Sequence, residues 1–152
     1  MSDPLVFPSA TPRHALPMLF AGQAQKEVTV NRTFALTDVL LHAAVEAETT
    51  EPPEAPVEGQ CWLVGAPASG GFEGRDGFIA GYQSGAWIFA SPTDGMRVFD
   101  RSSGQSLLYV GGWRREAAIS TPAGGATVDV EARGTINTLI QILQRSGILP
   151  AG

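Results

Sequence analysis

The stretch TVNRTFALTDVLLHAAVEAE, residues 29–48, decides how the chain is divided. Apolar residues recur in it at helical spacing, and further apolar residues beside them widen the stripe. The sequence therefore predicts an amphipathic helix over 29–48 with a broad apolar face. Thr29 or Asn31 can cap its first turn, and Pro52 and Pro53 stop it.

The segment before this helix, residues 1–22, is predicted to be an extended arm. It carries prolines at positions 4, 8, 12 and 17, and each proline disfavours helical dihedrals in the residue before it. An arm of this kind usually lies on its own domain or on a neighbour, and we expect a docking role for it. It has no basic segment followed by an apolar core, so no signal peptide is predicted and synthesis in the cytoplasm is expected. No apolar run approaches the ~18 residues needed to cross a bilayer, so we expect no membrane insertion.

The segment after the helix changes in period. Residues 46–58 are acidic and rich in proline, which predicts a linker, and residues 59–118 alternate with frequent glycines, which predicts an antiparallel β-meander. Its predicted strands are 61–64, 77–82, 86–90, 96–100 and 106–110. A second helix is predicted over 128–146, with Thr127 or Asp129 as its cap and Gly147 as its stop. Residues 23–152 are thus expected to form one α+β domain.

Charge and cysteine content exclude several classes of function. The net charge is −5, and the nine arginines are scattered, so no basic stripe is available for nucleic acid. Cys61 is the only cysteine and lies in the apolar run CWLV, which predicts an inert thiol and no disulfide or structural zinc. The two histidines, His14 and His42, are not accompanied by a Gly-x-Ser-x-Gly elbow. We predict no metal and no cofactor.

Acidic residues in the strand region are candidates for a glycosidase pair. Acidic residues in turns are more often turn formers, and the glycine-rich segment 70–74 lacks the lysine of a phosphate loop. We therefore predict no catalytic residues and no enzymatic activity. The two carboxylate pairs considered are Glu73 with Asp76 and Asp94 with Asp100.

Aromatic residues are concentrated in the predicted strands. Exposed tryptophan or tyrosine beside charged residues is a common platform for sugar rings, although most such residues are expected to serve the core or an interface. The three tryptophans each follow a glycine closely and are spaced 25 and 26 residues apart, which is weak evidence of a repeated strand-turn unit. The possible glycan contacts are Tyr82, Trp87, Tyr109 and Trp113.

Four strings in the chain resemble a known family. They are PRHALP (12–17), AGQAQKEVTVN (21–31), GQCWLVG (59–65) and GMRVFD (95–100). Together they are similar to the DUF2793 family, a domain of unknown biochemical function found in prophages and gene transfer agents of alphaproteobacteria, and the resemblance runs over residues 11–117. It implies a virion component of the tail-fibre or host-specificity kind, and it implies no catalytic residue.

The resemblance and the broad helix lead to one functional expectation. The protein is expected to be a structural spike or fibre-base module of a phage-like particle, which joins other particle proteins (capsid, baseplate or distal fibre) and supports attachment to the host. Its helix is expected to mediate a homo-oligomer, a trimer or pentamer, through Val30, Phe34, Thr37 and Leu41. The alternative is a carbohydrate-binding module that contacts host surface polysaccharide directly, and a depolymerase is a third, weaker hypothesis.

Overall fold

A computed structural model describes residues 16–17, 19, 22, 24–125 and 128–150 of the chain. Within these residues, two α-helices, eight strands and a short 3-10 helix at Gly70–Phe72 make up the regular structure, which agrees with the α+β class. The elements are α1 (Lys26–Leu40), β1 (Ala44–Val45), β2 (Glu48–Thr49), β3 (Cys61–Val64), β4 (Ile79–Gln83), β5 (Ala86–Ala90), β6 (Arg97–Asp100), β7 (Gln105–Tyr109), β8 (Trp113–Arg114) and α2 (Val130–Arg145).

Helix α1 ends eight residues before the predicted boundary at 48, and this is the main error of the sequence analysis. The chain leaves the helix at Leu41, which has extended dihedrals, and His42 then takes a left-handed φ of 53°. Gln25, also left-handed, precedes the helix in place of the predicted caps Thr29 and Asn31, which lie inside it. The helix is held by burial of one face rather than by a side-chain cap.

The segment 44–49, predicted to be helix and linker, forms two short strands, one in each sheet. Its first part, β1, pairs in parallel with β6, and its second part, β2, pairs in parallel with β3. Hydrogen bonds alternate between the two neighbours: Arg101 N donates to Val45 O at 2.9 Å, and Leu63 N donates to Ala47 O at 3.0 Å. Val45 is completely buried, which a strand at this position allows. Within the predicted linker 46–58, only Glu48–Thr49 is a regular element, the strand β2.

The two sheets have the same topology. One has the order β2-β3-β4-β5 and the other β1-β6-β7-β8, so each consists of one parallel edge strand followed by three antiparallel strands. A single continuous meander over 59–118 is not confirmed, because β5 pairs only with β4 and the chain then crosses to the other sheet. Trp87 in β5 and Trp113 in β8 occupy equivalent places, whereas Trp62 lies in β3. The repeat expected from the tryptophans thus concerns the last two.

Two hydrophobic clusters lie on opposite sides of the β3-β4-β5 strands. The larger joins the buried side of α1, through Leu36 and Val39, to both sheets. The smaller contains Val64, Phe72 and Ala80 and is covered by the loop between β3 and β4. Strand alternation explains this division, since neighbouring residues of one strand point to opposite faces.

The end of the predicted arm packs against its own domain. Leu16 contacts the larger cluster, and the Oγ1 of Thr33 donates a hydrogen bond to Pro17 O at 2.8 Å. The predicted arm, 1–22, falls mostly outside the described residues, so its docking on a neighbour stays a prediction.

Helix α2 begins and ends close to the predicted limits of 128–146. Asp129 is its cap, accepting a hydrogen bond from Ala132 N at 2.9 Å, and Gly147 follows it with a left-handed φ of 68°. Thr127, the alternative cap, lies outside the described residues. Ser106 N donates to Gly147 O, which ties the end of the helix to β7.

Candidate functional site

An open groove of about 850 Å³ lies between α1 and β5. It forms because β5 is the last strand of its sheet and α1 lies across β4 and β5. Among the described residues no strand pairs with the outer edge of β5. Helix α1 contributes Asn31, Phe34 and Asp38 to the groove, β5 contributes its residues from Ala86 to Phe89, and Arg75 reaches it from the loop before β4.

The aromatic side of the groove is held by contacts with buried aromatic residues. Trp87 makes edge contacts with Trp62 and Phe72, at ring-centroid distances of 5.6 and 4.9 Å. The guanidinium of Arg75 lies 5.2 Å from the ring centre of Phe89, a distance typical of a cation–π contact. Trp87 is half-buried, so part of its ring is available at the groove while the rest anchors it.

The groove is locally cationic in an acidic chain. Two arginines, Arg32 and Arg75, and one aspartate, Asp38, line it, which gives a formal charge of +1 against −5 for the whole chain. Aromatic surface, a planar guanidinium and amide groups are the combination with which proteins bind sugar rings and carboxylates. The groove therefore has the chemistry for an extended anionic or polyhydroxylated ligand.

The four predicted glycan contacts do not form one site. Tyr82 packs on Trp87, at 5.0 Å between ring centres, and Tyr109 packs on Trp113, at 5.2 Å. The second pair contacts the larger core cluster, and the indole Nε1 of Trp113 donates to Gly77 O at 2.8 Å. Only Trp87 of the four lines the groove. Trp113 and Tyr109 support the fold of the second sheet instead.

Three of the four predicted interface residues, Val30, Phe34 and Thr37, share one face of α1, and Leu41 directly follows the helix. That face is turned away from the core. Phe34 is 67% exposed and Leu41, just after the helix, is 66% exposed. Thr37 is also exposed and Val30 is half-buried. The opposite face carries the buried Ala35, Leu36 and Val39. The prediction of unused apolar surface on this helix thus agrees with its exposure, while the homo-oligomer itself stays a prediction.

The buried carboxylate of Asp100 forms an ionic network that the sequence did not reveal. It accepts hydrogen bonds from Ser102, Ser103 and Arg115, and Arg115 also pairs with Glu48 at 2.9 Å. Burial alone would raise the pKa of Asp100, but these hydrogen bonds and the guanidinium charge outweigh it and hold the pKa below the ordinary value. The network connects β6 to β2 and to the segment after β8.

The other described residues considered for chemistry lie apart from the groove, and two of them, Asp76 and Asp94, have structural hydrogen bonds. Asp76 accepts from Ala68 N at 2.7 Å and Asp94 accepts from Gly111 N at 2.9 Å, so both hold turns. Burial, followed by the nearby carboxylates of Asp38 and Glu46, raises the pKa of the Cys61 thiol, which lowers its thiolate fraction. His42 is exposed, and His14 lies outside the described residues. Glu73 is exposed in its loop.

The described residues contain no group of three or more histidine, cysteine, aspartate or glutamate side chains placed to hold a metal ion. Within the same residues, no helix has the length and apolar character that a membrane crossing requires.

The described residues form a small α+β domain with two linked sheets and a groove between α1 and β5. Residues 30–114 match the family described as "Protein of unknown function (DUF2793)", and the chain belongs to that family. The match covers the two sheets and residues 30–40 of α1, whereas α2 lies outside it. A search of curated proteins found no match to the chain.

Proposed function

We propose that the protein is a non-enzymatic structural module of a phage-like particle, a spike or fibre-base adaptor that supports attachment to the host cell surface. It works by associating with copies of itself and with other particle proteins. The observation that carries the proposal is the exposed apolar face of α1 around Phe34 and Leu41.

That face is more apolar than the domain itself requires. The opposite side of α1 already packs against the sheet, so Phe34 and Leu41 contribute nothing to the described core. Fully burying a large apolar side chain contributes roughly 1.5–3 kcal/mol. Association with a neighbouring subunit buries this surface, and symmetric association of identical chains is its commonest form. A trimer or pentamer fits a fibre or a vertex.

The polar residues support a structural role as well. The carboxylates of Asp76, Asp94 and Asp100 accept hydrogen bonds within the domain, which removes them from the usual role of a free acid or base. Attachment through a particle component fits a chain whose charged groups hold turns and strands together.

Sedimentation velocity on the full chain tests self-association through α1. The double variant Phe34→Ser with Leu41→Ser is expected to shift the protein to a smaller species, because both side chains lose their apolar contacts. Val57→Ser is the matched control, since Val57 is 61% exposed in the loop between β2 and β3 and is not part of the α1 face. A wild-type chain that stays monomeric at ~100 µM, or a double variant that associates as the wild type does, contradicts this part of the proposal.

The groove supports a second candidate, a carbohydrate-binding function directed at host polysaccharide. The aromatic side chains and the two arginines that line the groove support this candidate. Glycan-array binding by the purified chain, lost in Arg75→Ala, would favour it over a purely structural role. Release of reducing sugar ends from the polysaccharide would instead indicate a depolymerase and contradict both.

A further inference from the structure

Helix α2 uses only one side to contact the domain. Ile140 is its one buried residue among those described, and Leu143 beside it is half-buried. At 100° per residue, the opposite side carries an exposed row. From the start of the helix to its end, this outward row consists of Glu131, Thr135, Thr138, Ile142 and Arg145.

A shallow depression lies along this outward side. It is lined by Glu131, Gly134, Thr135, Thr138, Leu139 and Ile142, and Leu139 and Ile142 are 54% and 48% exposed. A Cβ atom on Gly134 would meet nothing within 4 Å, so no contact in the chain requires glycine there. Glycine inside a helix costs about 1 kcal/mol relative to alanine. A close approach by another molecule explains a residue that the domain itself does not need.

We propose that the occupant is α2 of a second copy of this chain, packed antiparallel across a two-fold axis at Thr138. Gly134 and Ile142 are each four residues from Thr138, so each Ile142 enters the depression above the partner's Gly134. Glu131 and Arg145 are each seven residues from Thr138, so each carboxylate meets the partner's guanidinium. Shape and charge are complementary in the same register.

The opposite orientation fits worse. A parallel pair places like charges together at both ends, Glu131 beside Glu131 and Arg145 beside Arg145, and aligns the two helix dipoles. In the antiparallel pair, opposite charges meet at both ends and the two helix dipoles point in opposite directions. This contact is separate from the α1 face, and it does not depend on the proposed function.

Cysteine cross-linking tests the axis directly. In a Cys61→Ala background, Thr138→Cys places two thiols at the two-fold axis, where oxidation is expected to give a disulfide-linked dimer. Gln141→Cys is the control, because Gln141 is exposed on the flank of the same helix. Absence of the Thr138→Cys dimer, or equal linking of Gln141→Cys, overturns the proposal. The readout reports α2 alone, whatever the α1 face does.

A charge exchange tests the register in the Phe34→Ser, Leu41→Ser background, which removes the proposed α1 contact. Glu131→Arg and Arg145→Glu are each expected to raise the dimer dissociation constant at least about three-fold, and the double exchange is expected to restore it. Ile142→Asp is expected to raise it more than about ten-fold, while Val130→Asp, on another side of α2, leaves it unchanged. Analytical ultracentrifugation provides the constants. An exchange that fails to restore association, or a background chain that shows no dimer at ~100 µM, contradicts the proposal.

Discussion

The contact between α1 and the sheet determines both the groove and the exposed helix face, and Gly81 controls it. An ideal Cβ on Gly81 would lie 2.5 Å from Cγ2 of Val39 and 3.5 Å from Sγ of Cys61. Real Cβ contacts are not that short, so Gly81→Ala must displace α1 or the strand below it. Glycine at this position of β4 is therefore required by close packing rather than by a turn.

The size of the effect follows from this clash. Overpacking a core costs about 1–3 kcal/mol. In a domain of this size, a loss of about 2 kcal/mol lowers the melting temperature by roughly 4–8 °C. Val39→Ala alone removes two methyl groups and costs about 2 kcal/mol. In the Gly81→Ala, Val39→Ala double variant the new methyl group occupies space that the Val39 side chain has left. The loss of unfolding free energy in the double variant is therefore expected to be smaller than the sum of the two single losses by at least about 1 kcal/mol.

Urea unfolding followed by circular dichroism measures these free energies. Gly112→Ala is the matched control: its added Cβ meets nothing within 4 Å, and the free energy of unfolding is expected to stay within about 0.5 kcal/mol of the wild type. If Gly81→Ala is as stable as the wild type, or if the two losses are fully additive, the packing argument is wrong.

Three other sites are expected to respond in distinct ways. Asp100→Asn lowers the free energy of unfolding at pH 7 by about 3 kcal/mol, because it leaves Arg115 without its buried partner. The pKa of Asp100 lies below the ordinary carboxyl value of about 3.9, so the wild type keeps this stabilisation above that pH and loses it as the pH falls through the folded-state pKa. Denaturation at pH 7 and at pH 3 should therefore show a smaller difference in the free energy of unfolding between variant and wild type at pH 3. Arg75→Ala is expected to weaken any glycan binding at least about three-fold in calorimetry, whereas Arg114→Ala, exposed outside the groove, does not; equal effects would exclude the groove as the site. Cys61 is expected to react with iodoacetamide at pH 7.5 more slowly than a cysteine peptide, as followed by mass spectrometry, and equal rates would show an accessible thiolate.

Strands formed by short apolar runs could be predicted from the sequence. Residues 61–64 and 86–90 have the predicted bounds, because each is a short apolar run that follows a glycine-containing turn. Asp129 could be predicted as a cap because its side chain acts locally. Such features depend on residues that are close in the chain.

The segment 44–49 could not be assigned from its own residues. Alanine at positions 43, 44 and 47 fits a helix as well as a strand, and the choice is made by hydrogen bonds to β3 and β6, up to 56 residues away in the pairing of Val45 with Arg101. Tertiary pairing overrides helical propensity here. The prediction of a single meander was not confirmed for the same reason, because no residue near β5 indicates that the next strand, β6, joins the other sheet.

The candidate site was predictable in part. Phe34 could be found because the helix has more apolar residues than one stripe needs, and Trp87 could be found as an aromatic residue of the strand region that is a possible glycan contact. Arg75 was missed because it lies in an irregular loop, which has no period from which its position can be inferred. The Asp100 network was missed because Glu48 and Arg115 are distant in the chain and were placed in a linker and beyond the last predicted strand.

The central claim is that the protein is built into a phage-like particle. Particles purified from the native host by density gradient, and quantified by mass spectrometry, test it most directly. The account predicts that the chain migrates with the particle in a fixed ratio to the major capsid protein, and that the Phe34→Ser, Leu41→Ser variant is depleted from that fraction. A chain that stays entirely in the particle-free fraction, while capsid protein sediments normally, would contradict the account.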